Sequence, residues 1–177
     1  MKVLTTKKTM SDAEALSIAR KGGNSLGRVM YGNKDITLKL LWLESREVIL
    51  RLDFQPAPLL KWLGKGTPYS QNIRMIVEGT RCTASYMEEE LKLITKDIDP
   101  DSLQKTEYDD DKIFRTAKRP ALRMVRRQIG RVATAELVSM RSFYRPYYIA
   151  FYGEMKMGER VRYLPIAADG NKVQTAL

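Results

Sequence analysis

Residues 36–54, ITLKLLWLESREVILRLDF, carry the strongest structural signal in the chain. Apolar side chains alternate with other residues over 36–42, and the same alternation returns over 48–54. A period of two is typical of β-strands that bury one face. The polar run 44–47 separates the two patterns, so we interpret the stretch as two antiparallel strands joined by a turn.

Helix and strand patterns lie on both sides of this stretch. Ser11 and Glu14 have the spacing of a capping box and predict a helix over 12–21. A strand pair is predicted over 73–79 and 80–87. Three aspartates at 109–111 lead into a second helix, which contains Pro120 as a kink or restart. This helix carries Phe114, Ala117, Ala121, Val125 and Ile129 on one side.

Strands are predicted after the second helix over 135–142, 147–152 and 160–167, with a turn at 144–146. A helix followed by antiparallel strands therefore occurs twice. We predict an α+β fold of two related helix-plus-antiparallel-sheet halves, residues 1–95 and 112–177, joined by an acidic linker at 96–111. Internal duplication and two unrelated halves both remain open.

The second half carries an aromatic-proline step, Tyr144-Arg145-Pro146-Tyr147-Tyr148, and a final ADGNKV at 168–173. With its helix and curled antiparallel sheet it resembles the cystatin-like and PepSY-like group of small α+β modules. The resemblance covers 112–177 best and 11–87 only by element order. It implies a non-enzymatic domain, often repeated in tandem, that binds or restrains a protein partner.

Composition excludes several classes of active site. The chain has 177 residues with no histidine and one cysteine, Cys82. Histidine is the commonest general base and metal ligand, so most familiar hydrolase sites are excluded. An intramolecular disulfide, a four-ligand zinc site and a cysteine–histidine dyad are excluded too. We expect a protein that is not an enzyme and needs no cofactor.

Hydropathy gives an expectation about location. The first residues lack the apolar run and cleavage site of a secretory signal. The longest apolar-leaning segment, 36–43, is far shorter than the roughly 20 residues of a membrane-spanning helix. We therefore expect a cytoplasmic protein with no membrane span.

Charge is strongly patterned along the chain, whose net charge is +10. Residues 88–111 hold 3 basic and 10 acidic side chains, whereas residues 112–131 hold 8 basic and none acidic. Clustered cations attract phosphate because binding releases counterions. Alternatively, the aspartates 109–111 lie at the helix N-terminus and the acidic segment folds over the basic helix.

Two sets of side chains are candidates for ligand contact. Helical spacing places several cations of the second helix near one another, where they could meet an anion or a nucleic acid. The members of this set are Arg115, Lys118, Arg119, Arg123, Arg126 and Arg127. The second set, Tyr144, Tyr148 and Tyr152, could form an aromatic surface that stacks on bases. Packing in a core is the alternative for these tyrosines.

These observations favour a non-catalytic binding or regulatory protein. An unknown macromolecule is its expected partner, and a protein is favoured over a nucleic acid. A homodimer through a sheet edge is a further hypothesis. The alternative function is nucleic-acid binding by the basic helix 112–131 and the adjoining sheet.

Overall fold

A computed structural model describes residues 1–21, 35–55, 62–63, 68–129, 133–153, 161–171 and 174–175, with the backbone alone for 125–129, 133 and 174–175. The strands are β1 Lys2–Thr6, β2 Ile36–Phe54, β3 Tyr69–Glu78, β4 Thr83–Tyr86, β5 Leu93–Asp97, β6 Leu103–Gln104, β7 Ala133–Tyr152, β8 Arg162–Ala167 and β9 Gln174–Thr175. The helices are α1 Asp12–Arg20 and α2 Asp110–Ile129, and a 3-10 turn covers Pro100–Ser102.

The strands pair mainly in the antiparallel sense. Within the described ranges the order is β5-β1-β7-β2-β3-β4-β9, while β6 pairs with β2 and β8 pairs with β7. Only the short contacts of β1 with β7 and of β6 with β2 are parallel among the described pairings. The chain is thus a mixed fold in which a large, mostly antiparallel sheet dominates two helices. The finer prediction of an internal duplication remains a prediction.

Helix α1 begins where the sequence predicts. The Ser11 hydroxyl accepts a hydrogen bond from the Glu14 amide at 3.3 Å, and the Glu14 carboxylate accepts one from the Ser11 amide at 2.8 Å. This reciprocal pair satisfies two amides that have no partner within the helix. Hydrogen bonds from Ser11 also hold the pKa of Glu14 below its usual value. The helix predicted over 12–21 is confirmed as Asp12–Arg20.

The turn predicted at 44–47 is wrong, because β2 runs unbroken from Ile36 to Phe54. Two buried carboxylates keep this polar run extended. Glu47 lies 3.0 Å from the Arg74 guanidinium and 2.5 Å from that of Arg141. Glu44 accepts hydrogen bonds from the Ser142 hydroxyl at 2.5 Å and from the Thr106 amide at 2.9 Å. Charged side chains can be buried in a strand when they are paired in this way.

The turn predicted at 144–146 is wrong as well, because β7 is continuous from Ala133 to Tyr152. Arg145 is buried and paired with Asp169, so its charge does not require a surface turn. Pro146 lacks an amide hydrogen, but its carbonyl oxygen accepts a hydrogen bond from the Ala168 amide at 2.9 Å. By contrast, the strand pair predicted over 73–87 is confirmed as β3 and β4 in antiparallel register.

The chain divides into two compact units. Unit 1 consists of Met1–Leu43, Lys92–Gln104 and Tyr144–Asn171. In its main core, α1 buries Ala15 and Ala19 against Tyr148, Ala150, Tyr152, Ile166 and Ala168. A smaller cluster consists of Val3, Trp42, Ile98 and Tyr144. The small alanines let the helix lie close to the aromatic strand.

Unit 2 consists of Glu44–Leu91, Lys105–Phe143 and Lys172–Leu177. Its core is formed by alternating side chains of β2 and β3, by one side of α2 and by one residue of β7. The members are Val48, Leu50, Leu52, Phe54, Ile73, Met75, Val77, Ile113, Ala117, Ala121 and Ala135. Each unit therefore has its own helix and its own apolar core.

Each unit is assembled from three separate chain segments, whereas the sequence pattern predicts a single division. The predicted linker 96–111 contains the end of β5, the 3-10 turn, β6 and the start of α2. The single division near these residues remains a prediction about domain organisation.

Candidate functional site

The acidic triplet 109–111 forms the N-terminus of α2. The Asp109 carboxylate accepts a hydrogen bond from the Lys112 amide at 2.7 Å, and its carbonyl oxygen accepts one from the Ile113 amide at 3.1 Å. Asp110 and Asp111 lie in the first turn. Negative charge is favourable there because the helix dipole is positive at this end. The placement of the three aspartates at a helix N-terminus is confirmed.

One side of α2 is fixed by packing. Ile113, Ala117 and Ala121 are fully buried against the sheet of unit 2. Phe114, which the sequence analysis placed on the apolar side, is half-buried. The helix continues through Pro120, so the alternative of a restart is wrong. The predicted apolar residues Val125 and Ile129 belong to α2, but their side chains lie outside the described part.

The opposite side of α2 is cationic. Arg115, Arg119 and Arg123 are exposed. At about 100° per residue they point away from the buried side of the helix, and Lys112 lies on the same side. Lys118 is half-buried, with its ammonium 5.4 Å from the centre of the Phe114 ring. Arg126 and Arg127 continue the helix, but their side chains are outside the described part.

The exposed arginines are not neutralised within the described part of the chain, where no ion pair includes Arg115, Arg119 or Arg123. Arg115 only donates to the Asp111 carbonyl oxygen at 3.3 Å. Asp110 lies 3.8 Å from Arg46, and Asp97 pairs with the N-terminal ammonium at 2.6 Å. The contacts among these residues therefore leave the three guanidinium groups able to meet an external anion. We call Lys112, Arg115, Arg119 and Arg123 the cationic face.

The prediction of an exposed aromatic surface is wrong, because Tyr144, Tyr148 and Tyr152 are all buried. Helix α1 covers the last two. The Tyr152 hydroxyl donates to the Ala19 carbonyl oxygen at 2.7 Å, which closes the contact between strand and helix. These tyrosines thus fill the cores of unit 1.

Tyr148 also joins a small polar cluster at the start of α1. Its hydroxyl donates to Asp12 and accepts from the Lys8 ammonium, which lies 2.7 Å away. Burial and the carboxylate of Asp12 raise the pKa of Tyr148, and the hydrogen bond from the phenol lowers the pKa of Asp12. The phenol therefore stays protonated near neutral pH. It anchors the helix rather than acting as a general base.

Arg81 is an exposed cation that was not among the candidate residues predicted from the sequence. It directly precedes Cys82, whose sulfur lies 3.3 Å from the Thr116 hydroxyl of α2. The turn between β3 and β4 thus contacts the helix one residue after Arg81. No local signal could reveal this, since it depends on the packing of β4 against α2.

Metal-ligand clusters and membrane-spanning helices are both absent from the part of the chain that the structure describes. Among those residues, no group of three or more cysteine, aspartate or glutamate side chains could hold a metal ion. No helix in the same ranges is long and apolar enough to cross a membrane.

Comparison with protein-family models, curated proteins and solved structures gives no match. The resemblance to cystatin-like and PepSY-like modules remains a prediction.

Proposed function

We propose that the chain is a non-catalytic protein that binds nucleic acid through the cationic face of α2. The observation that carries this proposal is the alignment of three exposed arginines, Arg115, Arg119 and Arg123, without an ion pair among the described residues. Guanidinium groups bind phosphate well because their planar donors match its oxygens. An overall charge of +10 adds long-range attraction to a polyanion.

The way the face is built supports this proposal. Three buried residues of α2 fix its rotation on the sheet, so the arginines are held toward solvent by the core of unit 2. A ligand therefore meets cations that are already arranged along one side of a helix. Less conformational entropy is lost on binding than with a disordered basic segment.

A protein partner is the second candidate, favoured by a different surface. Strand β5 is the last strand in the described order, and Ile94 within it is 44% exposed. Leu4 on the adjoining β1 is 42% exposed. An unpaired strand edge with apolar neighbours can add a strand of another protein or of a second copy. Binding there would not depend on the arginines of α2.

The double substitution Arg119→Gln/Arg123→Gln tests the proposed function. We expect affinity for a short nucleic acid to fall about tenfold or more near 0.1 M salt, because two phosphate contacts are lost. The slope of log K against log salt should become shallower by about 1.8 for a duplex, since each contact contributes about 0.9. Fluorescence anisotropy over a series of salt concentrations measures both quantities.

A matched control removes the same charge elsewhere. Lys7 and Lys39 are exposed residues of unit 1, so Lys7→Gln/Lys39→Gln lowers the net charge equally without touching α2. This variant should keep nearly all of the affinity, because every phosphate contact of the cationic face remains. Equal losses in the two variants would show that net charge alone, and not the cationic face, drives binding.

A further inference from the structure

We infer that the nucleic acid held by the cationic face is double-stranded DNA, bound through its phosphates without sequence preference. This inference rests on the proposed function. It concerns which form of nucleic acid the geometry of α2 fits.

The spacing of the arginines favours a ligand of high linear charge density. Arg115, Arg119 and Arg123 are four residues apart, so they advance by about 6 Å at each step and cover about 12 Å of helix. Duplex DNA carries one charge per about 1.7 Å of axis, or about seven phosphates over that length. One strand of the duplex offers half as many. The three arginines therefore displace more condensed counterions from a duplex than from a single strand.

The angular spread of the same residues suits a groove. At about 100° per residue, Arg115 and Arg123 diverge by about 40° on either side of Arg119. A convex helix surface with cations on both flanks can reach the phosphates of both walls of a groove. The major groove of B-DNA, about 12 Å wide, admits a helix. The deep, narrow major groove of A-form RNA does not.

The described part of α2 offers no platform for unstacked bases. Residues 110–124 contain no tyrosine or tryptophan, and the one aromatic ring, Phe114, is half-buried beneath Lys118. The candidate stacking residues Tyr144, Tyr148 and Tyr152 are buried in unit 1. Proteins that prefer single strands gain much of their affinity from stacking on exposed aromatic rings. The cationic face itself supplies charge without this contribution, and the exposed rings of Tyr69 and Tyr108 lie outside α2.

The same residues lack the side chains that read adenine. Asparagine and glutamine, which pair with adenine edges, are absent from 110–124. Every member of the cationic face is lysine or arginine. These residue types can pair with guanine edges, but half or more of all protein–DNA hydrogen bonds go to phosphate and sugar oxygens. Contacts to the backbone position a protein on DNA but carry no direct sequence information. We therefore expect similar affinity for duplexes of different sequence.

The test compares four fluorescent ligands: two DNA duplexes of unrelated sequence, one of their single strands, and an RNA duplex matching the first. We expect both DNA duplexes to bind alike and about tenfold more tightly than the single strand near 0.1 M salt. The slope of log K against log salt for duplex DNA should be about −3.6 for the four cations of the face. In Arg119→Gln/Arg123→Gln it should be about −1.8, whereas Lys7→Gln/Lys39→Gln should keep the original slope.

Four outcomes would contradict these expectations, and they bear on different claims. Single strands that bind as tightly as the duplex would overturn the inference while leaving the proposed function intact. Equal binding of duplex RNA would overturn the assignment to DNA, and a strong preference for one DNA sequence would overturn backbone recognition. Failure of every ligand to bind at low salt would overturn the proposed function itself. Circular dichroism of each variant shows whether a loss of binding comes from loss of the fold.

Discussion

Replacement of Arg145 by alanine is expected to destabilise unit 1 by about 3–5 kcal/mol, the typical result of leaving one partner of a buried ion pair alone. The guanidinium of Arg145 donates to both carboxylate oxygens of Asp169, at 2.8 and 2.9 Å. Both residues are buried. Without Arg145, the carboxylate keeps hydrogen bonds from Thr6 and Asn171 but loses its compensating charge. Urea denaturation measures the change in the free energy of unfolding.

The double substitution Arg145→Met/Asp169→Leu keeps this prediction testable even if the single variant does not fold. Removing both charges leaves no uncompensated ion, so the double variant should be more stable than Arg145→Ala. An Arg145→Ala protein that loses less than about 1 kcal/mol would contradict a buried pair and would instead fit a solvent-screened one.

Acid should weaken the same interaction. Burial alone would raise the pKa of Asp169, but hydrogen bonds and the charge of Arg145, with Asn171 and Thr6, hold it below its usual value. A lowered carboxyl pKa stabilises the fold above the unfolded value of about 4, and this contribution is lost as the pH falls through the folded pKa. The free energy of unfolding should therefore decrease below about pH 4. Asp169→Asn should be less stable at neutral pH and should show a smaller decrease.

Local patterns were sufficient to predict the helices. A capping box needs only residues that are three apart, so Ser11 and Glu14 placed the start of α1 correctly. The aspartates 109–111 likewise placed the start of α2 through their effect on neighbouring amides. The hairpin of β3 and β4 was also predictable, because its two strands are adjacent in the chain.

The two mistaken turns have a common physical cause. In β2, every even-numbered residue over 36–42 and 48–54 is apolar, whereas the odd-numbered ones are mixed, so the alternation keeps its phase through the polar run. That unchanged phase was a signal for one continuous strand. The partners that make burial of Glu47 acceptable, Arg74 and Arg141, lie far away in the sequence. Arg145 likewise depends on Asp169, 24 residues further on.

The candidate site was predictable only in part, because it depends both on local helical geometry and on tertiary contacts. Spacings of three and four residues placed Arg115, Arg119 and Arg123 near one another because helical geometry is local. Which side of the helix is buried depends on the sheet of unit 2. The buried side is centred on Ile113, Ala117 and Ala121, whereas the sequence pattern placed Phe114 on this side and left out Ile113. The absence of ion pairs to the three arginines, within the described residues, likewise follows from tertiary structure.

Replacement of Gly79 by alanine is expected to destabilise unit 2 by about 3 kcal/mol, the upper end of the usual cost of overpacking. Gly79 follows β3, and its amide donates to the Glu44 carbonyl oxygen at 3.0 Å. An added Cβ would clash with that oxygen and would lie 2.8 Å from the Thr106 Cβ. The first obstacle is backbone, so β2 or the turn must move. Urea denaturation of Gly79→Ala and wild type gives the difference.

The neighbouring Thr80 provides a control for effects of the turn itself. Thr80 is half-buried, and among the described residues its hydroxyl bonds to Glu78 alone, so Thr80→Ala should cost about 1 kcal/mol, the usual value for one hydrogen bond. If the added Cβ pushes Gly79 away from Thr106, the hydrogen bond from the Thr106 hydroxyl to the Gly79 carbonyl oxygen should break. The hydrogen bond from the Thr106 amide to the Glu44 carboxylate should be disturbed as well. Hydrogen exchange at the Thr106 amide should then accelerate in Gly79→Ala and not in Thr80→Ala. Unchanged exchange and stability in Gly79→Ala would show that the backbone of β2 does not approach Gly79 closely enough to require glycine.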